Sequence, residues 1–183
     1  MNLSAEIITS DEQVELCREG DRQAYYNIYN QYARAMLNSS MRVLNNLADA
    51  EDVVQEAFID AFKSLEKFTY KSSFEAWLRR IVINKSISLL RKRKIKWVDT
   101  EITNINIDAE QEIDEEHFND DIDKIKQAIA KLPEHYRVIF NLFVIDGLKQ
   151  EEIAAMLNIS HNNVRTIYHR ARKKVIDTVN AIQ

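Results

Sequence analysis

Between Tyr25 and Leu37 the apolar residues Tyr25, Ile28, Tyr29, Tyr32, Ala33, Met36 and Leu37 recur at three- and four-residue intervals. That period puts them on one face of an α-helix, which Asp21 can cap and which runs to about Asn45. Before it, Ser10 or Asp11 can cap a short helix that stops at Gly20, where a glycine can take the left-handed turn that ends helices. The polar pair Asn45-Asn46 interrupts the pattern. Asp49 then sits at an N-cap, and Glu51 and Asp52 suit the positive end of a helix dipole. The stripe Val53, Val54, Ala57, Phe58, Ala61, Phe62 and Leu65 predicts the third helix. After a polar break at Thr69–Ser72, Ser72 or Ser73 can cap a fourth helix with Phe74, Trp77, Leu78, Ile81, Val82 and Leu89 turned inward. It ends in the basic run Arg91–Lys94.

Over residues 99–121 the periodicity is lost, and acidic residues and asparagines dominate. From Asp123 it returns with Ile125, Ala128, Ile129 and Leu132. Pro133 comes next at the first position of a further helix, where its missing N–H costs nothing. Val138, Ile139, Leu142, Phe143 and Ile145 carry that helix to Gly147.

Composition narrows the class. The 183 residues include only two Gly and one Pro, so few positions can break a helix. The expected fold is all-α: a helical domain over 1–98, an acidic flexible linker over 99–122, and a second helical domain over 123–183. An ordinary tether explains the linker composition equally well. The lone Cys17 excludes an intramolecular disulfide and a cysteine-based zinc site. The four histidines (117, 135, 161 and 169) share no ligand spacing, and no glycine-rich phosphate loop is present. Catalytic residues, bound metal, cofactor and small-molecule substrate are therefore not expected. No apolar run reaches the ~18 residues of a membrane span. The first residues lack a basic stretch followed by an apolar core, so the expected location is the cytoplasm.

Residues 150–169 fit a helix-turn-helix. Ile153 and Leu157 are apolar on the first helix, and Ala154 is small where two helices must approach closely. Asn158 falls at the turn and tolerates a left-handed backbone. Ile159 plugs the core, Ser160 can cap the second helix, and Val164, Ile167 or Tyr168, Ala171 and Val175 bury it. The opposite face offers His161, Asn162, Asn163, Arg165, Thr166, His169, Arg170, Arg172, Lys173 and Lys174. Polar groups in the first turns and cations further along are what a helix in the major groove needs. A plain two-helix packing unit is the alternative, and the combined match favours DNA binding.

Charge sorts into blocks. Residues 1–62 carry a net of −7, 63–98 a net of +9, 99–123 a net of −11 and 124–183 a net of +5, which together give the chain's −4. Two basic surfaces joined by an acidic strap suit a protein that holds one polyanion at two places, although solvated helix faces give the same sorting. The +9 block differs in kind, because cations are mixed with Phe68, Tyr70, Phe74, Trp77 and Trp97. Cations can track phosphates while aromatic faces stack on unpaired bases, and the loop Thr69–Ser73 could hold a base turned out of the duplex. Trp77, at helical spacing, is read as core. Phe68 and Tyr70 flank the loop and fit that reading less well.

Three segments together resemble bacterial sigma factors of the extracytoplasmic-function group. DAEDVVQEAFIDAF (49–62) is similar to their region 2.2. FTYKSSFEAWLRRIVINKSISLLRKRK (68–94) is similar to regions 2.3 and 2.4, and the segment from Leu132 to Lys174 to regions 4.1 and 4.2. The resemblance implies a factor that binds core RNA polymerase, recognises the −10 and −35 promoter elements and opens the duplex. Asp52, Gln55 and Glu56 match residues that dock on the β′ clamp helices, with the β flap as the second polymerase contact. Asn84 matches the asparagine that helps read the −10 element. Phe68, Tyr70, Lys71 and Ser72 would supply the pocket for a flipped base, and Arg80, Arg91 and Arg93 would contact backbone. Arg165, Thr166, His169 and Arg170 match −35 reading positions, with His161, Asn162 and Lys173 beside them. Ile167 stands where many members carry Arg or Lys, which would remove a contact. The resemblance also implies that the acidic linker threads through the polymerase, and it adds an anti-sigma protein as a candidate partner.

Two other classes compete. A dedicated regulator would use the same helix-turn-helix without a polymerase contact, but a sensor domain has no need of the basic-aromatic block. A nuclease with Asp49, Glu51 and Asp52 as metal ligands is weaker, since those acids suit the first turn of a helix.

Overall fold

The computed structural model describes residues 9–93, 97 and 122–181. The acidic segment expected to be a linker falls outside the described residues, apart from Ile122, and so does Lys94. The chain divides into two compact units, Met1–Arg93 and Lys94–Gln183. All regular structure among the described residues is helical.

The first unit holds α1 (Ser10–Arg18), α2 (Arg22–Leu44), α3 (Leu47–Lys63) and α4 (Phe74–Lys92), with a 3₁₀ turn over Leu65–Lys67. The long α2 packs on α1, α3 and α4, and α3 packs on α4. The shared core contains Ile28, Met36, Val54, Phe58, Phe74, Leu78, Ile83, Ile87 and Leu90. Two α4 residues not placed inward by the apolar period, Ile83 and Ile87, are buried because α4 meets both α2 and α3. Within that core the Ser40 and Ser86 hydroxyls share a 3.0 Å hydrogen bond between α2 and α4.

The caps refine the expected boundaries. Thr9, not Ser10 or Asp11, caps α1: its Oγ1 accepts from the Glu12 N–H at 3.3 Å, while its own N–H donates to the Glu12 carboxylate at 2.6 Å. A glutamate three residues on allows this reciprocal box, which neither later cap candidate could complete so well. Gly20 stops the helix as expected, at φ +88°, with paired closing bonds from Gly20 N to Cys17 O and from Asp21 N to Leu16 O. Asp21 caps α2 through the Ala24 N–H at 2.9 Å. Asn46, not Asp49, caps α3, accepting from Asp49 N at 3.1 Å. That adds Leu47 and Ala48 to the helix and moves Asp49 into its first turn.

Cys17 is fully buried, and burial, aided by the nearby Asp21 charge, pushes its thiol up to about 11. Against an ordinary thiol this leaves about 100-fold fewer reactive thiolates near neutrality. Iodoacetamide should therefore label Cys17 no faster than the first unit unfolds, a rate that mass spectrometry across a urea series can track.

The second unit holds α5 (Ile122–Ala130), α6 (Glu134–Phe140), α7 (Gln150–Leu157) and α8 (His161–Ala181). The long α8 is its spine, against which α5, α6 and α7 all pack. Pro133 is the N-cap of α6 and not its first residue, a shift of one position. The helix does not run uniformly to Gly147. A π-helical turn over Asn141–Ile145 widens its C-terminal end and shifts the facing of its last side chains. Leu142 is buried, Phe143 is half-buried and Ile145 is exposed, because that turn breaks the 3.6-residue register that would turn Ile145 inward.

Candidate nucleic-acid interface

Ser73 caps α4, its Oγ accepting from the Ala76 N–H at 3.2 Å. The cap separates α4, which buries one face, from the loop Thr69–Ser73, in which every residue is exposed. Lys71 and Ser72 are therefore open to solvent. Phe68 is not: it is 3% exposed, with ring centroids 5.6 Å from Phe74, 5.4 Å from Trp77 and 4.6 Å from Tyr70. The expectation that Phe68 flanks the loop as an open stacking face is corrected. Burying a ring of that size is worth about 2 kcal/mol, and the adjacent rings of Phe74 and Trp77 offer it a site. Trp77 is half-buried in the same cluster, in keeping with its reading as core. Trp97 is also buried.

Tyr70 remains 41% exposed and takes a left-handed backbone at φ +58°. Its hydroxyl donates to a Glu15 carboxylate oxygen on α1. The Arg18 guanidinium lies 5.2 Å from its ring centroid. Burial and the Glu15 bond push the tyrosine hydroxyl above its ordinary range, against the Arg18 charge.

On α4, Arg80, Asn84, Ser88 and Arg91 are all exposed and succeed one another at four-, four- and three-residue steps, which makes them one stripe. A stripe with cations at both ends and an amide between them can meet phosphates and a base edge at once. Arg93, at the C-cap of α4, is engaged within the fold, where it pairs with Asp49 at the start of α3.

On α3, Asp52, Gln55 and Glu56 are exposed beside the buried stripe. Glu56 lies 3.2 Å from Lys85 of α4, and Asp60 lies closer, at 2.7 Å. The hydrogen bond with Asp60 raises the Lys85 ammonium above its ordinary range and lowers the Asp60 carboxyl below its own. Ile59 is 51% exposed in the middle of this polar surface. It lies off the apolar stripe, one turn from Gln55 and Glu56, and a lone exposed isoleucine is by itself ordinary on a protein surface.

In the second unit α7 ends at Asn158, left-handed at φ 55° and ψ 47°, with closing bonds from Asn158 N to Ala155 O and from Ile159 N to Ala154 O. Ser160 caps α8 through the Asn163 N–H at 3.1 Å. Ile153, Ala154, Leu157, Val164, Ile167, Ala171 and Val175 are buried, as the helix-turn-helix grid requires. His161, Asn162, Arg165 and Lys173 are exposed, while Thr166, His169 and Arg170 are half-buried. His161 Nε2 stands 3.5 Å from Glu151 Oε1 on α7. The Lys174 ammonium sits 5.7 Å from the Tyr136 ring centroid, so that cation also has a packing role.

Ile167 is 1% exposed. The expectation that it stands in place of a DNA-contacting cation is corrected, because the residue faces the core of its own unit. Ile167→Arg should therefore destabilise the second unit by about 3–5 kcal/mol and add no DNA contact. Thermal unfolding by circular dichroism measures this.

Among the described residues no group of three His, Cys, Asp or Glu side chains is placed to hold a metal ion. Among them, too, no helix is long and apolar enough to cross a membrane.

Residues 28–95 match the family described as Sigma-70 region 2, and residues 122–175 match Sigma-70, region 4. The ECF RNA polymerase sigma factor SigW of Bacillus subtilis (strain 168) is 32% identical over 172 residues, which span 88% of this chain and 92% of that protein. The ECF RNA polymerase sigma-E factor of Escherichia coli (strain K12) is 29% identical over 185 residues, spanning 96% of each. Two solved structures share the fold. CnrH, in complex with the cytosolic domain of CnrY, has a TM-score of 0.53 at 23% identity, over 96% of this chain and 100% of that one. The sigma factor RpoE, in complex with the anti-sigma factor NepR from Bartonella quintana, has a TM-score of 0.53 at 21% identity, over 87% and 98%.

Proposed function

Because this chain belongs to the sigma-70 family, in its extracytoplasmic-function group, we propose that it binds core RNA polymerase and directs promoter-specific initiation, with its first unit opening the −10 element and its second reading the −35 element. Such a factor is not an enzyme; it lends the polymerase its promoter selectivity. The observation that carries the reading is the sorting of chemistry in the first unit. One helix, α3, exposes acids, an amide and Ile59, while the next, α4, exposes Arg80, Asn84 and Arg91 below a polar loop. The first surface suits the β′ clamp helices and the second suits a melted promoter strand.

Lys71, Ser72 and Tyr70 meet a base turned out of the stack, and Asn84 reads a neighbouring base edge. Arg80 and Arg91 hold phosphates. Arg93 reaches DNA only by exchanging Asp49 for a phosphate. Phe68 acts from beneath, as the packed floor under the loop. In the second unit His161, Asn162, Arg165 and Thr166 meet base edges, His169 and Arg170 track the strand, and Lys173 takes a phosphate. The polymerase β flap holds that unit in place. An anti-sigma protein is a further partner, as the solved relative RpoE has one. The site of action is the cytoplasm.

One good base contact discriminates by ~1–3 kcal/mol, too little for a single small module to choose promoters in a genome. Two weak modules fixed on one polymerase multiply their affinities. Capture from a pool of genomic fragments tests this. With core polymerase present, the chain should retain fragments that share two elements at fixed spacing; alone at physiological salt, it should retain none selectively. Tight, sequence-specific capture by the free chain would contradict the division of labour.

A further inference from the structure

The loop Thr69–Ser73 is not held by its own sequence. Tyr70 adopts a left-handed backbone at φ +58°, a conformation that a bulky side chain rarely takes unless its surroundings impose it. The surroundings here come from α1, some fifty residues earlier. The Arg18 Nη2 donates to the Phe68 carbonyl at 2.6 Å and to the Leu65 carbonyl at 3.0 Å, gripping the chain on its way into the loop. The same guanidinium lies 5.2 Å from the Tyr70 ring centroid and bonds Glu15 at 2.8 Å. Glu15 accepts from the Tyr70 hydroxyl. The Tyr70 ring packs against buried Phe68 on its inner side, 4.6 Å between centroids, and stays 41% exposed on the other. One arginine and one glutamate thus fix the entry of the loop, the strained residue and the angle of the exposed ring.

We propose that Glu15 and Arg18 are positioning residues for base selection: through Tyr70 they set the shape of the Thr69–Ser73 loop and so decide which base it accepts from the melted promoter strand. The proposal rests on the −10 role of the first unit and goes beyond it, since α1 touches no DNA in that role. Without the clamp, Tyr70 relaxes to an ordinary extended or helical backbone and its ring swings away from Phe68. The loop then still carries Lys71 and two serines, so it still binds a strand, but it presents no fixed wall against which one base fits better than another. A charge-only contact would bind all bases alike.

The test uses the full chain assembled with core RNA polymerase and a promoter-strand pool randomised at the melted positions, with bound strands sequenced. The wild-type chain should enrich one base at one melted position. Glu15→Ala, a surface change, and Arg18→Ala should flatten the preference at that position by about tenfold, the scale of one good contact. Enrichment elsewhere, core polymerase binding and −35 duplex selection should stay as in wild type. Glu15→Gln, whose amide oxygen still accepts from the tyrosine hydroxyl, should keep the preference. A merely structural role would lower enrichment at all positions together. If Glu15→Ala and Arg18→Ala keep the wild-type preference, the positioning role is overturned while the −10 role stands. If the wild-type chain itself shows no base preference at any melted position, both fall.

Discussion

Asp52→Lys combined with Glu56→Lys should abolish polymerase-dependent transcription while lowering the stability of the fold only slightly. Both side chains are exposed on α3, so the direct cost to folding is small. Among the described residues the fold contact at risk is that of Glu56 with Lys85, and Lys85 keeps its closer partner Asp60, 2.7 Å away. An exposed pair of this kind contributes at most about 1 kcal/mol. At an interface the same change acts twice, since each acid is lost and each replaced by a like charge facing a basic partner. Losing one charge of a desolvated pair costs about 2–5 kcal/mol, so two reversals should weaken core binding by at least 100-fold. Co-elution with core polymerase on a sizing column, beside thermal unfolding of the free chain, separates the two effects. Unchanged co-elution would remove α3 from the docking surface. Ile59→Asp should act in the same direction but more weakly, because it removes an apolar contact without reversing a charge.

In the second unit, Arg165→Ala and Lys173→Ala should fail in different ways. Both residues are exposed on α8, but Arg165 lies in its second turn, near the end proposed to enter the groove. If it forks onto a base edge, its loss should cost ~1–3 kcal/mol and relax selection at one −35 position. Lys173, two turns further on, should lower affinity evenly across sequences and reduce the salt slope by about one. Binding of holoenzyme to a −35 library at several salt concentrations reads both. Identical effects of the two variants would mean that α8 does not lie with its N-terminal turns at the bases.

Much of this arrangement is local and therefore readable from the chain. Helix periods, the Gly20 stop, the Asp21 and Ser160 caps and the left-handed Asn158 all arise from residues within a few positions of one another. Three features depend on what lies nearby in space. Phe68 looks free beside a polar loop until Phe74 and Trp77 are seen to wall it in. The burial of Ile167 was legible from the helical period, yet its match to a family contact position pointed the other way, and packing decided between them. Glu15 and Arg18 sit on a short helix whose sequence shows only an ordinary amphipathic pattern; their hold on Tyr70 spans about fifty residues and has no local signature. The Asn141–Ile145 turn was also hidden, since no glycine or proline marks where the helix widens.

The central claim is that the chain confers promoter choice on a polymerase that lacks it. Core RNA polymerase given genomic DNA, with and without this chain, and read out by sequencing of transcript 5′ ends, tests it most directly. The expected result is a set of new start sites, present only with both proteins, preceded by two shared elements at constant spacing. Start sites that do not change when the chain is added would contradict it.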